Sequence, residues 1–185
     1  MELQGERLIP ASVDTTWAAL NDPEVLKACI AGCESLERTG EDSLTAVVAL
    51  KIGPVSARFK GNLKMTNVRP PNAYTMNFDG QGGVAGFGKG SADVALTAEG
   101  AQTRLKYNAR AQVGGKMAQV GSRLIDAAAG KITEDFFTAF EARLLAAGGG
   151  APTPLPEAGA AKRNNALWWL IGAAVLIAAI YFLRR

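Results

Sequence analysis

The chain has 185 residues, 48% of them hydrophobic, with 20 Lys and Arg against 17 Asp and Glu and no histidine. This length corresponds to one domain, or one domain with appendages. Without imidazole, Ser-His-Asp catalysis, Cys-His catalysis and His-ligated metal sites are excluded. The net charge of +3 would suggest a nucleic-acid partner only if the excess lay on a folded part of the chain.

Two short helices are predicted near the N-terminus. Ser12 can cap a helix that continues to Leu20. Asp22 can cap a second helix, because Pro23 follows it at the first helical position, where proline is favoured.

Residues 44–109 predict an antiparallel sheet with one face in water. Hydrophobic and polar residues alternate over 44–52, 59–65, 74–78, 92–96 and 103–109. The last run is the most regular, with Arg104, Lys106 and Asn108 on its polar face. Turn-forming Gly, Pro and Asn residues separate the runs.

The glycine-rich segment 80–91 resembles two nucleotide-binding motifs but completes neither. A strand pattern follows it where a dinucleotide site needs a helix, and Gly90 follows Lys89 where a phosphate-binding loop needs Ser or Thr. We therefore predict a flexible hairpin over a cavity mouth, with Phe87 as an apolar plug or a membrane-dipping tip. Cys29 and Cys33 make at most half a zinc site, so no metal site is predicted.

Residues Met117 to Ala146 predict a long amphipathic helix. Apolar residues recur every fourth position from Val120 to Leu144 and form one continuous stripe. Gly121 and Gly130 lower helix propensity, so we expect them to allow close packing. Short helices, antiparallel strands and one long helix predict an α+β fold in which a curved sheet wraps the long helix over residues 1–146.

A linker and a transmembrane helix are predicted after this domain. Residues 147–165 are rich in Gly, Ala and Pro and would span roughly 25 Å as a flexible coil. Residues 166–183 are eighteen uncharged residues, a transmembrane candidate at the short end of the usual range, since as a helix they would span roughly 27 Å against a hydrocarbon core of about 30 Å. Aromatic residues typical of membrane interfaces lie at the two ends of the run and basic residues follow it, at Trp168, Trp169, Tyr181, Phe182, Arg184 and Arg185.

The positive charge belongs to this tail. Four basic residues border the apolar run, which leaves about −1 for residues 1–161. A nucleic-acid partner therefore loses its electrostatic basis. The segment 1–10 has charges where an export signal needs an apolar core, so we expect the domain to face the cytosol and the tail to sit in the inner membrane.

One set of apolar residues on the inward faces allows two interpretations. Met and aromatic side chains at these positions form either an ordinary core or a soft lining for an apolar ligand, and the sequence leaves both open. The set is Phe59, Met65, Tyr74, Met76, Phe78 and Met117.

Several segments in order resemble the G subunit of carbon monoxide dehydrogenase. They are IPASVDTTWAALNDPEVLKACIAGCESLE from Ile9, KIGPVSARFKG from Lys51, GFGKGSADVAL from Gly86 and TRLKYNARAQVGGKMAQVGSRLIDAAAGKITEDFF from Thr103. The resemblance covers residues 3–145. Ala31 departs from it, because the family commonly has proline before the Gly-Cys pair.

The resemblance implies a START-like helix-grip fold and a non-catalytic accessory protein. Such a protein would bring a cytoplasmic molybdenum hydroxylase of the carbon monoxide dehydrogenase type to the inner membrane. It also implies a pocket between the inward sheet face, here including Leu63, and the start of the long helix at Met117, Val120 and Leu124.

Three hypotheses follow. The first is a recruitment module whose pocket binds an apolar small molecule, which we expect to be a respiratory quinone because the partner must pass electrons to an acceptor in the bilayer. The second is a pure membrane anchor or assembly factor whose pocket its own side chains fill. The third is a cyclase-like enzyme, disfavoured by the lack of histidine and of a paired acid and base, for which Tyr107 would be the pocket-facing polar residue to test. No covalent cofactor is expected.

Overall fold

A computed structural model describes residues 1–148. The predicted membrane helix, with Trp168, Trp169, Tyr181, Phe182, Arg184 and Arg185, lies outside the described residues, as does the linker beyond 148. Within 1–148, no helix combines the length and the apolar character that crossing a bilayer requires.

The described chain is α+β. Its strands are β1 Glu2–Ile9, β2 Cys33–Gly40, β3 Ser43–Ile52, β4 Val55–Arg69, β5 Ala73–Gln81, β6 Phe87–Glu99 and β7 Gln102–Gly114. Its helices are α1 Val13–Leu20, α2 Pro23–Cys29 and α3 Ser122–Ala146, with 3₁₀ helices at Gly83–Ala85 and Gly115–Val120.

All seven strands form one antiparallel sheet in the order β1-β7-β6-β5-β4-β3-β2. The predicted α+β architecture is confirmed for these residues. The N-terminal caps are confirmed too, since the Ser12 side chain accepts a hydrogen bond from the Thr15 N–H and Asp22 accepts from the Glu24 and Val25 N–H groups.

The predicted start of the long helix at Met117 is wrong. Residues 115–120 form a 3₁₀ helix, and α3 begins only at Ser122. Gly121 separates the two helices at φ +96°, a conformation that breaks an α-helix and that glycine adopts without strain. The packing role expected for Gly121 and Gly130 is also wrong, because a Cβ at either position would have no atom within 4 Å.

The two faces of the sheet differ in chemistry. The outer face carries hydrogen-bonded polar pairs, such as the Asn62 amide with Asp79 and the Thr75 hydroxyl with Asp93 at 2.7 Å. The inner face carries the apolar residues of the same strands and faces α1 and α3. Alternation therefore positions the candidate lining residues on the face that the helices cover.

The core of the domain is divided into two clusters. The larger joins the second half of α3, α1 and the sheet near Ile9, and its buried members include Leu20, Leu96, Leu105, Phe137, Phe140 and Leu144. The smaller joins Leu36, Leu44 and Ala46, with α2 and Leu63 packed against it. The inner sheet face between the two clusters is where a ligand site can lie.

Candidate functional site

Apolar residues on the inner face between the clusters are only partly buried. Leu63 pairs with Phe78, and Met65 pairs with Met76, across the β4–β5 ladder. Met65 is buried, but Leu63, Met76 and Phe78 remain partly accessible although they face the helix side of the sheet. Partial exposure on an inward face means that the helices cover these three side chains incompletely, although Leu63 also packs against the smaller cluster.

A row of glycines borders this region on the same face. Gly61, Gly80 and Gly88 are successive cross-strand neighbours on β4, β5 and β6. A Cβ on Gly61 would lie 2.7 Å from the carbonyl oxygen of Asp79, so close backbone approach explains that glycine.

Gly80 and Gly88 have no such explanation. The nearest atoms to a Cβ would be 3.9 Å away at Gly80 and 4.0 Å away at Gly88, and neither residue has a positive φ. Glycine inside a strand costs about 0.5–1 kcal/mol relative to alanine. The two residues therefore leave open volume above the sheet at some expense in stability.

The start of α3 covers this region incompletely. Met117 is 2% exposed and points inward from the 3₁₀ helix, and Val120 is half-buried. Leu124 lies against Gly53 in the β3–β4 turn and is still 41% exposed. In contrast to the second half of the helix, none of the residues 122–132 is buried.

A cavity of about 530 Å³ opens beside this part of α3. Phe87, Val113 and Ile125 contribute apolar walls, while Lys89 and Asp126 contribute charge. Its volume is in the range of small-molecule sites. Two further hollows, of about 580 and 310 Å³, are lined mainly by outer-face residues, together with Phe78 in the first and Tyr74 and Tyr107 in the second. None of these three cavities is lined by Phe59, Leu63, Met65, Met76, Met117, Val120 or Leu124.

Two of the candidate lining residues belong to the packed end of the domain. The Tyr74 ring meets Trp17 edge-on at 5.6 Å, and the Tyr107 ring contacts Phe137 at 5.5 Å. Burial raises the pKa of Tyr74 to about 12. The two rings close one end of the inner face, where Tyr74 offers a hydroxyl but no charge at physiological pH.

One ion pair lies beside these rings. Arg7, on the inner side of β1, forms a salt bridge with Glu134 of α3 and lies over the Phe137 ring at 5.6 Å. This contact ties the middle of α3 to the sheet edge. The thiols of Cys29 and Cys33 are free, and burial raises the pKa of both, so they remain protonated and unreactive.

The glycine-rich segment differs from the predicted hairpin tip. Phe87 is the first residue of β6, and its ring lies over Gly114. Its position in the strand alternation puts it on the face opposite to Gly88. The outermost apolar side chain of the segment is Val84, which is 86% exposed in the Gly83–Ala85 turn.

The structure thus brings together part of the predicted set. Phe59, Leu63, Met65, Met76 and Phe78 share the inner face beside Met117, whereas Phe87 lies at the cavity beside α3 and Tyr74 and Tyr107 lie at the packed end. Sequence reasoning missed Gly80, Gly88, Val113 and Ile125. The alternation of β5 and β6 carried a signal for the two glycines, because both continue the inward-facing positions.

The comparisons with known proteins agree with this architecture. The family model of CoxG, the G subunit of carbon monoxide dehydrogenase, matches residues 5–145. The chain belongs to the CoxG family. A conserved protein from Geobacillus kaustophilus of known crystal structure is 31% identical, with a TM-score of 0.75, over 80% of this chain and 97% of that one. No significant match was found among curated proteins.

More distant structures share the fold alone. A START superfamily protein from Mycobacterium smegmatis is 16% identical, with a TM-score of 0.62 over 79% of this chain and 98% of its own. The Zhui aromatase/cyclase from Streptomyces sp. R1128 is 12% identical, with a TM-score of 0.58 over 82% of this chain and 99% of its own. The fold of this CoxG family member is therefore START-like.

Proposed function

We propose that this CoxG family member is an accessory protein that binds an apolar small molecule between the inner sheet face and the first half of α3. The observation that carries the proposal is the incomplete burial of Leu63, Met76 and Phe78 on an inward face. Apolar surface left open inside a domain lowers its stability unless a partner covers it.

The chemistry of the open region favours a flat or flexible hydrocarbon ligand. Met65 and Met76 supply unbranched, polarizable side chains that adapt to irregular shapes. Gly80 and Gly88 supply a smooth floor without side chains. Tyr74 at one end provides a neutral hydroxyl, since its pKa of about 12 keeps it protonated.

The finer proposal is that the ligand is a respiratory quinone. The family's name links it to carbon monoxide dehydrogenase, and a cytoplasmic dehydrogenase must deliver electrons to an acceptor dissolved in the bilayer. An apolar site that can hold such an acceptor would carry it between the membrane and the enzyme. The protein would then act without catalysing a reaction itself.

In the same proposal the apolar run 166–183 anchors the protein in the inner membrane. The domain faces the cytosol and recruits a molybdenum hydroxylase of the carbon monoxide dehydrogenase type. Aromatic and basic residues at both ends of the run support interfacial anchoring.

The test starts from the full chain purified from membranes in detergent. Lipid extraction and mass spectrometry should find a quinone in near-stoichiometric amount. The fluorescence measurement uses residues 1–148, because Trp168 and Trp169 of the full chain would also emit. In this fragment Trp17 is the single tryptophan and touches Tyr74 at the end of the inner face, so adding a short-chain quinone should quench its fluorescence.

Matched variants locate the binding site. Met76→Gln keeps side-chain length but adds a polar group on the inner face, so quenching should weaken by about tenfold or more. Ala95→Gln places the same group on the exposed outer face of β6 and should leave quenching unchanged. If no quinone co-purifies and quenching is absent, the ligand part of the proposal is wrong.

The pure-anchor hypothesis predicts a different result in cells. An unrelated docking domain fused to residues 147–185 should then restore both the membrane localisation of the hydroxylase and its respiration-coupled activity. Restored localisation without activity would instead support a ligand-carrying role.

The enzyme hypothesis rests on likeness of fold to the Zhui aromatase/cyclase. The chain has no histidine, and the buried tyrosine of the inner face has a raised pKa that makes it a poor general acid or base near neutral pH. Turnover of a polyketide-like substrate that Tyr107→Phe abolishes would favour an enzyme.

A further inference from the structure

Three connecting segments meet at one end of the sheet and form a surface that we name the loop face. It consists of the β3–β4 turn, the Gly83–Ala85 turn and the segment from the end of β7 to the first turn of α3. Gly53 lies against Leu124, and Gly86 lies against Gly114 and Gly115, so these segments form one continuous surface. The 530 Å³ cavity opens beside it, at Phe87 and Ile125.

The loop face exposes apolar side chains. Val84 is 86% exposed, Leu124 is 41% exposed and Phe87 is 39% exposed. A Cβ on Gly83, the neighbour of Val84, would have no atom within 4 Å, so the outer side of this turn faces solvent, while Ala85 of the same turn is buried at 4% exposure. An aliphatic side chain held this far from the core costs free energy in water unless another apolar phase takes it up.

Four cations lie in the loop face or in the strand ends next to it. Lys51, Lys60, Lys116 and Arg123 are all exposed, and none of them forms a salt bridge with another residue of the range 1–148. Asp126 in α3 is the nearby acidic residue of this helix end, while Glu34 is neutralised by Arg58 at 2.7 Å. The loop face is therefore positively charged.

The opposite end of the sheet is acidic. Its turns and the start of α2 carry exposed carboxylates at Asp22, Glu24, Glu37, Glu41 and Asp42, which outnumber the exposed basic residues Arg38, Lys64 and Arg69 at this end. The domain is nearly neutral as a whole, but its positive and negative charges lie at opposite ends of the strands. The electric field of this charge separation orients a protein at a charged surface.

We propose that the loop face docks the folded domain on an anionic lipid bilayer, with Val84 inserted among the headgroups and the four cations bound to lipid phosphates. Exposed apolar side chains and cations at the same end of the sheet match the two layers of an anionic membrane surface, apolar beneath and negative above. This contact is separate from the predicted membrane helix and does not depend on a bound ligand.

The linker 147–165 does not determine which end of the domain meets the membrane. That orientation therefore depends on the surface of the domain. α3 is about 37 Å long and starts at the loop face, so residue 147 leaves the domain at the far end of that helix. Residues 147–165 can reach at most about 65 Å. Either end of the domain can therefore meet a bilayer that holds residues 166–183.

The test uses residues 1–148, because they lie within one compact unit of the chain. The Geobacillus kaustophilus protein of known structure consists almost entirely of the region that matches this chain, so this region folds there without further domains. The fragment should sediment with vesicles made of phosphatidylcholine and one third phosphatidylglycerol, and not with phosphatidylcholine alone. Binding should weaken steeply with added salt.

Matched variants separate the loop face from the rest of the surface. Val84→Asp should reduce vesicle binding about tenfold or more, whereas Leu8→Asp, at an exposed leucine near the far end of the outer face, should not. Arg123→Glu should reduce binding at least about fivefold, the value expected for one surface cation, whereas Arg69→Glu at the far end of β4 should not.

A spectroscopic readout checks the depth of insertion. Val84→Trp should shift its emission to the blue with anionic vesicles, and Leu8→Trp should not. The proposal is overturned if the fragment binds neither kind of vesicle, and the loop face would then be a candidate site for a protein partner. It is also overturned if the loop-face variants and their controls bind anionic vesicles equally well. Neither result affects the co-purification of quinone with the full chain or the quenching of Trp17 by quinone, so the two proposals fail independently.

Discussion

The second half of α3 carries more large apolar residues than the first, and the two halves have different surroundings. In the second half, Phe137, Phe140 and Leu144 are buried against the sheet, α1 and α2. In the first half, Leu124 is exposed and Ile125 is only half-buried, although both belong to the same helix. The second half of α3 therefore covers the inner face of the sheet, and the first half covers it only in part.

This contrast separates stability from function within one helix. The second half joins the larger core cluster, where close packing contributes most to the free energy of folding. The first half stands beside the glycine row and the cavity, where unfilled volume contributes nothing to stability. Substitutions in the two halves should therefore have effects of different size and kind.

The largest effect is expected for Phe140→Ala. Phe140 is fully buried and stacks on Phe136 at 5.6 Å, so removing the ring leaves a cavity in the larger cluster. We expect the free energy of unfolding, measured with urea, to fall by about 3–5 kcal/mol. Leu124→Ala, in the first half, should lower it by less than about 1 kcal/mol. Equal losses in the two variants would show that both halves are packed alike.

A second prediction concerns alkaline pH and Tyr74 at the packed end. Its pKa is about 12 in the folded state against a reference of 10.0, so the unfolded chain releases the proton more readily. The stability due to neutral Tyr74 is complete below pH 10 and is lost as the pH rises to 12, by about 2–3 kcal/mol. Tyr74→Phe should remove this part of the pH dependence. The measurement is the free energy of unfolding in urea at several pH values between 9 and 12. If it falls with pH as steeply in Tyr74→Phe as in the unmodified protein, the assignment to Tyr74 is wrong.

Most of the fold could be predicted from the sequence. Alternation over β3 to β7 gave the antiparallel sheet and its inward faces, and the caps at Ser12 and Asp22 gave the short helices. The start of α3 could not be predicted in this way. Apolar spacing continues through Met117 and Val120, and only the positive φ of Gly121, a property of the folded backbone, ends the 3₁₀ helix before α3.

Gly130 and Gly121 provide the third prediction, which tests the first half of α3. Gly130 is in the helix interior with no atom within 4 Å of an added methyl group, so Gly130→Ala should raise the free energy of unfolding by about 1 kcal/mol. Gly121→Ala has the same free space but φ +96°, so it should lower stability by about that amount. A loss of stability in Gly130→Ala would mean that close packing exists there after all.

The candidate site was predictable only in part. Residue type and alternation placed Leu63, Met76 and Phe78 on one inward face, which the register confirms. What the pattern could not give is how much of that face the helix covers, because coverage depends on the exact path of α3 over the sheet. The same limit explains why Tyr74 and Tyr107, which also face inward, pack against Trp17 and Phe137 instead.

The smallest change in stability, and the sharpest test of the open region, is expected for Gly80→Ala and Gly88→Ala. Both residues have room for a methyl group, so each variant should keep the free energy of unfolding or raise it by up to about 0.5–1 kcal/mol. Quinone quenching of Trp17 should nevertheless weaken, because the methyl group rises from the floor on which the ligand would lie.

Gly61→Ala and Gly90→Ala are the controls on the same face. At Gly61 the methyl group would meet the Asp79 carbonyl at 2.7 Å, and at Gly90 it would collide with the Arg110 carbonyl, so both variants should lose stability whether or not a ligand exists. If Gly80→Ala loses as much stability as Gly61→Ala, the packing of the sheet itself requires glycine at position 80, and room for a ligand does not explain the residue. If it keeps its stability and loses quenching, the protein's own packing does not require glycine at position 80, and the residue is there to leave room for the ligand.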